Sequence, residues 1–177
     1  AAAYALRLRV GTTCSFPENK PNLHKVFNLS AKIKATPAPS YYEKSFSYFP
    51  LPHTEDLALF GYFQSERYFS DHSDEIREEY TFRKEVKAPP ANTVSVHVRR
   101  GDYLDLSDHH PACTLEYYEK AMSKFPNSNF LIFSDDKSWC LKNFKKENCK
   151  VSLSSDAAED LQLMSLCDHH IIANSSF

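Results

Sequence analysis

The chain has 177 residues, 42% hydrophobic and 25% charged, with a formal charge of −2. Its length fits one domain or parts of two, its composition is that of an ordinary globular protein, and its charge argues against a nucleic-acid surface, which carries a basic excess. Thirteen Phe and ten Tyr supply a substantial core. With three glycines in all, Gly11, Gly61 and Gly101, the sequence has no glycine-rich phosphate loop, so an anion would be held by side-chain cations and helix ends. Five cysteines, Cys14, Cys113, Cys140, Cys149 and Cys167, lack C-x-x-C spacing, and their odd number points to a reduced compartment. Cys167 with His169 and His170 is a poor metal set, because adjacent histidines in a strand face opposite ways. No metal is expected, and no apolar run approaches the ~20 residues of a membrane span.

In chain order, residues 1–9 are alanine-rich and read as helix interior without a cap or an initiator Met. The far end at Phe177 is as abrupt, so the chain is expected to be a piece cut at both ends. A short strand is expected at 13–16, then an irregular stretch rich in Tyr, Phe and Pro over 37–52. Residues 74–85 read as a charged helix with Ile76, Tyr80 and Phe82 as its apolar contacts. Residues 87–92, Lys-Ala-Pro-Pro-Ala-Asn, form a linker between parts 1–86 and 93–177. Beyond it the pattern becomes regular. Val alternates with polar residues over 93–98, as in a strand. Leu115, Tyr118, Met122 and Phe125 recur at helical spacing behind a capping Thr114. A buried strand follows at 130–133, ending at Ser134-Asp135-Asp136, then a helix at 139–146 and a strand at 150–153. Asp156 and Glu159 have capping-box spacing before a helix with Leu161, Met164 and Cys167, and a last strand spans 170–173. Alternating strands and helices predict parallel βαβ units, hence half of a doubly wound α/β sheet.

In such sheets ligands bind beyond the carboxyl ends of the strands. The first strand of the second part delivers His97-Val98-Arg99-Arg100-Gly101-Asp102-Tyr103. Alternation puts Ser95, His97 and Arg99 on one face and Val96, Val98 and Arg100 on the other. Two arginines at a βα turn either meet an anion, for which the planar guanidinium fork is suited, or end the strand in solvent and pair with Asp102, Asp105 and Asp108. Gly101 would allow a sharp turn after them. The last strand delivers Asn174, Ser175 and Ser176, which are either hydrogen-bond donors to a phosphate or an ordinary N-cap. Together with the arginines they would form a two-sided diphosphate clamp.

These residues carry a family resemblance. His97 to Tyr103 resembles the H-x-R-R-G-D-Y motif of glycosyltransferase family 11, the α-1,2-fucosyltransferases. Residues 1–9 resemble the helix after that family's G-G-L-G-N-Q stretch, 61–69 its G-Y-F-Q-S-x-x-Y-F block, and 160–177 its D-x-x-L-M-S … N-S-S-F block. The resemblance implies a GT-B-like α/β fold of two Rossmann-like halves with parallel sheets, both incomplete here, with acceptor on the first half and nucleotide sugar on the second. It implies inverting transfer of L-fucose from GDP-β-L-fucose to the 2-hydroxyl of a galactoside-terminated glycan, without a cofactor or required metal. Arg99 is then the main diphosphate ligand, Arg100 a second ligand or organiser of the turn, and Asn174, Ser175 and Ser176 further donor contacts. Asp102 and His97 are the candidate bases, and Asp160 is either a nucleotide contact or a helix-surface carboxylate. The rival readings are a transferase of the protein O-fucosyltransferase kind, which also carries an H-x-R strand, and an inactive carbohydrate-binding remnant.

Overall fold

A computed structural model describes residues 23–30, 38–54, 57–105, 108 and 111–175. The expected helix at 1–9, the strand at 13–16, and Ser176 and Phe177 lie outside the described residues. The chain divides into two compact units, residues 1–85 and 86–177.

The first unit is built from short elements. Helix α1 (Leu23–Val26) leads into an antiparallel bridge between Phe27 and Phe82. Strands β1 (Ser40–Tyr42) and β2 (Ala58–Phe60) pair in parallel, Tyr42 opposite Phe60, with their rings stacked at 5.1 Å. Gly61 follows at a φ of +154°, a conformation that favours glycine, and a Cβ there would run into Glu43. The Glu43 carboxylate accepts hydrogen bonds from the Tyr62 and Phe63 N–H groups at 2.7 and 3.1 Å, fixing the turn. The core is aromatic: Leu51 and Tyr68 are buried, packed by Tyr41, Tyr48, Leu57, Leu59, Phe63 and Phe69. Two 3-10 turns, Glu66–Tyr68 and Ser70–His72, precede helix α2 (Ser73–Glu79). That helix is shorter than the expected 74–85. The Thr81 N–H and hydroxyl both bond the Glu78 carbonyl, and Phe82 leaves to pack on Phe27 at 4.8 Å. A tertiary aromatic contact there overrides the local helical pattern.

The second unit is a four-stranded parallel sheet in the order β5-β4-β3-β6, from β3 (Thr93–Val98), β4 (Asn129–Ser134), β5 (Cys149–Val151) and β6 (His169–Ile171). Every residue of β3 is buried, because β4 pairs along its whole length and β6 covers its other edge. Val94, Val96 and Val98 join Ile132, Tyr118, Met122, Cys140 and Phe144 in the core, each fully buried aliphatic side chain contributing about 1.5–3 kcal/mol. Ser95 on the opposite face is satisfied by the His170 ring at 2.8 Å.

The helices start where short polar side chains take up unpaired N–H groups. Thr114 caps α3 (Leu115–Met122) through the Tyr117 N–H, and Asp136 caps α4 (Lys137–Asn143) through the Trp139 N–H. Starting at Asp136, α4 begins two residues before the expected 139–146, and it ends at Phe144, whose ring is drawn into the core. Asp156 caps α5 (Ala157–Ser165) through the Ala158 N–H, but the reciprocal half of the capping box is not made. Instead Ser154 Oγ donates to Glu159 at 2.6 Å and accepts the Asp156 N–H at 3.1 Å. The strands expected at 150–153 and 170–173 each begin one residue earlier and stop at Val151 and Ile171, where ladder pairing with β4 and β3 ends.

Candidate active site at the carboxyl ends of the strands

The order β5-β4-β3-β6 has a reversal in it. From β3 the chain moves outward to β4 and β5 and then returns to β6 on the other side of β3. The crevice between β3 and β6 is therefore the switch point at which sheets of this type take ligands. The segment after β3 supplies Arg99, Arg100 and the 3-10 turn Gly101–Leu104; the segment after β6 supplies Asn174 and Ser175.

Both arginines are held by carboxylates. Arg99 Nη2 lies 2.7 Å from Asp102 Oδ1, and its Nη1 lies 3.0 Å from Asp135 Oδ2. Arg100 Nε lies 3.2 Å from Asp136 Oδ2, with its guanidinium 4.1 Å above the Trp139 ring. Arg99 stands 5.4 Å from the Tyr103 ring. Its Nε is buried without a hydrogen-bond partner among the described residues. Asp135 also accepts the Arg100 N–H at 3.0 Å. The Trp139 N–H, ahead of Arg100 and Ser138, holds the Asp136 carboxyl below its usual range, which keeps it charged opposite Arg100.

Of the sequence alternatives for the arginines, pairing with Asp102 is realised for Arg99. The partnership of Asp135 and Asp136 was missed, though a signal was present. Parallel register sets Val98 opposite Ser134, so the residues following both strands must emerge together. Gly101 also has a different role from the one expected. Its φ lies outside the left-handed region, and a Cβ there would sit 2.5 Å from Asp135 Oδ2. Glycine lets the carboxylate approach the backbone.

Across the switch point, the turn after β3 is stitched to the end of β6. The Tyr103 hydroxyl donates to the Asn174 carbonyl at 3.1 Å, and the Tyr117 hydroxyl to the Ile172 carbonyl at 2.7 Å. The Asn174 amide donates to the Pro111 carbonyl at 2.8 Å, and its oxygen accepts from the Cys113 thiol at 3.7 Å. Asn174 thus organises the loop at Pro111, Ser175 stands next to it, and Ser176 lies outside the described residues.

His97 is 6% exposed. Burial, reinforced by Arg99, pushes its imidazole below the ordinary range against the opposing pull of Asp135 and Asp160, so the ring is neutral at neutral pH. Asp160 is not on a helix surface. It is buried on α5 and accepts a hydrogen bond from Ser152 Oγ at 2.6 Å. Its charge reaches His97, which places histidine, arginine and two aspartates in one electrostatic neighbourhood. Asp102, by contrast, is exposed.

Cys113, Cys140, Cys149 and Cys167 are free thiols. Among the described residues no group of three His, Cys, Asp or Glu could hold a metal ion, and no helix is long and apolar enough to cross a membrane.

A parallel sheet with a reversal in strand order beside paired basic residues defines an α/β unit of the doubly wound type. The chain belongs to glycosyl transferase family 11, whose model matches residues 34–177. It is 38% identical over 142 residues to an alpha-1,2-colitosyltransferase of Escherichia coli, covering 68% of this chain and 49% of the relative. It is 30% identical over 178 residues to the O-antigen biosynthesis glycosyltransferase WbnK of Escherichia coli, covering 87% and 59%. Over 120 residues it is 30% identical to the galactoside 2-alpha-L-fucosyltransferase Sec1 of Mus musculus, covering 59% and 33%. The chain spans about half the length of the first curated relatives it matches. No solved structure matches it. The parallel α/β units agree with the GT-B-like class that family membership implies.

Proposed function

We propose that the protein transfers L-fucose from GDP-β-L-fucose to the 2-hydroxyl of a galactoside-terminated glycan, with inversion and without a required metal, and that Arg99 is the principal diphosphate ligand. The observation that carries this reading is the placement of Arg99 and Arg100 directly after β3, the strand that borders the switch point, on a turn whose Tyr103 hydroxyl reaches the Asn174 carbonyl beyond β6. As the sugar leaves, negative charge builds on the diphosphate. Guanidinium groups already fixed there stabilise that charge without reorganising at the moment of reaction. Arg100, locked by Asp136 and Trp139, organises the turn or adds a second contact. Asn174, Ser175 and Ser176 complete the clamp from the β6 side. Asp160, held by Ser152 near His97, is a further nucleotide contact in this reading.

Exposure separates the two candidate bases. A base must reach the acceptor hydroxyl, and Asp102 is open to solvent while His97 is buried. Exposure favours Asp102 as the base in this reading, with His97 orienting the donor side. In this reading residues 1–86 carry the acceptor side and 93–177 the donor side.

The test is turnover of GDP-fucose with a panel of galactosides, in the presence and absence of chelator. Hydrolysis or transfer that depends on Arg99 and survives chelation is expected. Binding of glycans with no turnover of any donor would make the protein a carbohydrate-binding remnant, and transfer to a folded protein domain instead of galactosides would place it with the protein O-fucosyltransferases. A second reading, transfer of colitose, is favoured by the name of the relative at 38% identity. It is decided by offering a colitosyl donor beside the fucosyl one.

A further inference from the structure

The carboxylates around the two arginines outnumber them: Asp102, Asp135 and Asp136 face Arg99 and Arg100. A diphosphate arriving at this cluster meets an excess of negative charge, and both terminal nitrogens of Arg99 are already engaged, by Asp102 and Asp135. The Arg99 fork must change partners before it can hold phosphate with both prongs. We infer that Asp102 is a built-in competitor for Arg99, displaced by the incoming diphosphate, and that it sets how much anionic charge a ligand needs to enter the site. The inference rests on the donor-site reading above.

The geometry singles out which partner leaves. Asp135 is fixed by three features: Arg99 at 3.0 Å, the Arg100 N–H at 3.0 Å, and a seat against Gly101 that a Cβ would fill. Its side chain is 28% exposed. The Asp102 side chain is held through one contact among the described residues, Arg99 Nη2 at 2.7 Å, lies on a single 3-10 turn, and is 56% exposed. Releasing Asp102 costs one partly exposed ion pair, which is worth little, whereas releasing Asp135 also leaves the Arg100 N–H without its acceptor. A phosphoryl group brings more charge and more acceptor oxygens than a carboxylate, so it displaces Asp102 from the fork. A ligand with one carboxylate has no such advantage and is excluded. Asp135 keeps Arg99 in place throughout the exchange.

The two aspartates therefore have opposite signs in a binding experiment. Titrating the full chain with GDP by calorimetry, Asp102→Asn should tighten the affinity about three- to tenfold, since the competitor has lost its charge. Asp135→Asn should weaken it, since Arg99 loses its holder. Acetate, inert toward the parent chain at the same ionic strength, should compete with GDP measurably in Asp102→Asn. If Asp102→Asn folds poorly by circular dichroism, Asp102→Ser carries the same expectation. Unchanged or weaker GDP binding on removing the Asp102 charge overturns the exchange. Failure of the parent chain to bind GDP at all overturns the donor-site reading instead, and the two failures are distinguishable in one titration series.

Discussion

In residues 86–177 the central strand is six residues long, buried throughout and paired on both edges, whereas in residues 1–85 strands β1 and β2 have three residues each and pair with one another. The contrast extends to what stands at the strand ends. β3 and β4 end in charges held at 2.7–3.2 Å from one another. β1 and β2 end in the exposed rings of Tyr42, Phe60 and Tyr62 around a glycine turn tied to Glu43. A strand end can position a guanidinium to hydrogen-bond accuracy only if its own register is fixed, and two-sided pairing over a buried strand does that. The rings of the first unit need no such accuracy, because stacking tolerates sliding.

The largest expected effect tests the difference in support. Ile132→Ala, at a fully buried position on β4, should cost about 2–5 kcal/mol of unfolding free energy. Leu59→Ala on half-buried β2 should cost less. Trp139 is the single tryptophan and lies in the second unit, so its fluorescence reports that unit's transition directly. Equal shifts of the Trp139 transition by both substitutions would break the contrast. Next, Arg99→Ala should lower kcat/KM by roughly 2–4 kcal/mol of transition-state stabilisation, with Arg99→Lys restoring little because the two-pronged geometry is lost. Tyr62→Ala, at the end of β2, should leave GDP affinity unchanged.

Gly101→Ala should cost about 1–3 kcal/mol, because the new Cβ would displace the Asp135 carboxylate or the turn. The accompanying loss of GDP affinity, read by titration, would tie this glycine to the site and not to stability alone. Removing a cap is smaller: Thr114→Ala should lower stability by about 1 kcal/mol in the Trp139 transition. The gentlest probe is pH. His97 has a folded-state affinity for protons below that of the unfolded chain, whose ordinary value is 6.5. As pH falls through 6.5 the unfolded state takes up a proton that the folded state refuses. Stability therefore declines from there down to the lowered folded value and then levels off. The slope should flatten in His97→Gln, and a parent chain with no slope between pH 7 and 5 beyond that of the variant would remove the electrostatic account of this residue.

Much of the second unit was legible in the sequence, for reasons that its structure makes plain. The Val alternation of β3, the Thr114 cap and the helical spacing of Tyr118 and Met122 are local patterns, and each local preference agrees with the tertiary environment. What was not legible depends on neighbours distant in sequence. Asp160 looks like a surface residue of an amphipathic helix until Ser152 is placed beside it. Asp135 and Asp136 look like a turn until β4 is laid in register with β3. Arg99 and Arg100 were visible as candidates, but not that each is already occupied. In the first unit the shortfall was greater. The helix at 74–85 stops at Glu79 because Phe82 is claimed by Phe27, a partner 55 positions away that no local periodicity announces.

The central position of β3 has a consequence for how the unit forms. Its ladder to β4 joins residues such as Thr93 and Asn129, while its ladder to β6 joins Val94 to His169, about twice as far along the chain. During synthesis or refolding, β3 can zip to β4 early and must then wait with its second edge open until β6 arrives, since closing the longer loop costs more entropy and gives no contact until it is complete. That waiting edge is apolar, alternates Val with small polar residues and has high β-propensity, the profile of a segment that recruits foreign strands. The switch point that makes the crevice is therefore also the last seam to close, and the temperature and concentration at which the chain is produced should govern yield more strongly than the stability of the finished unit.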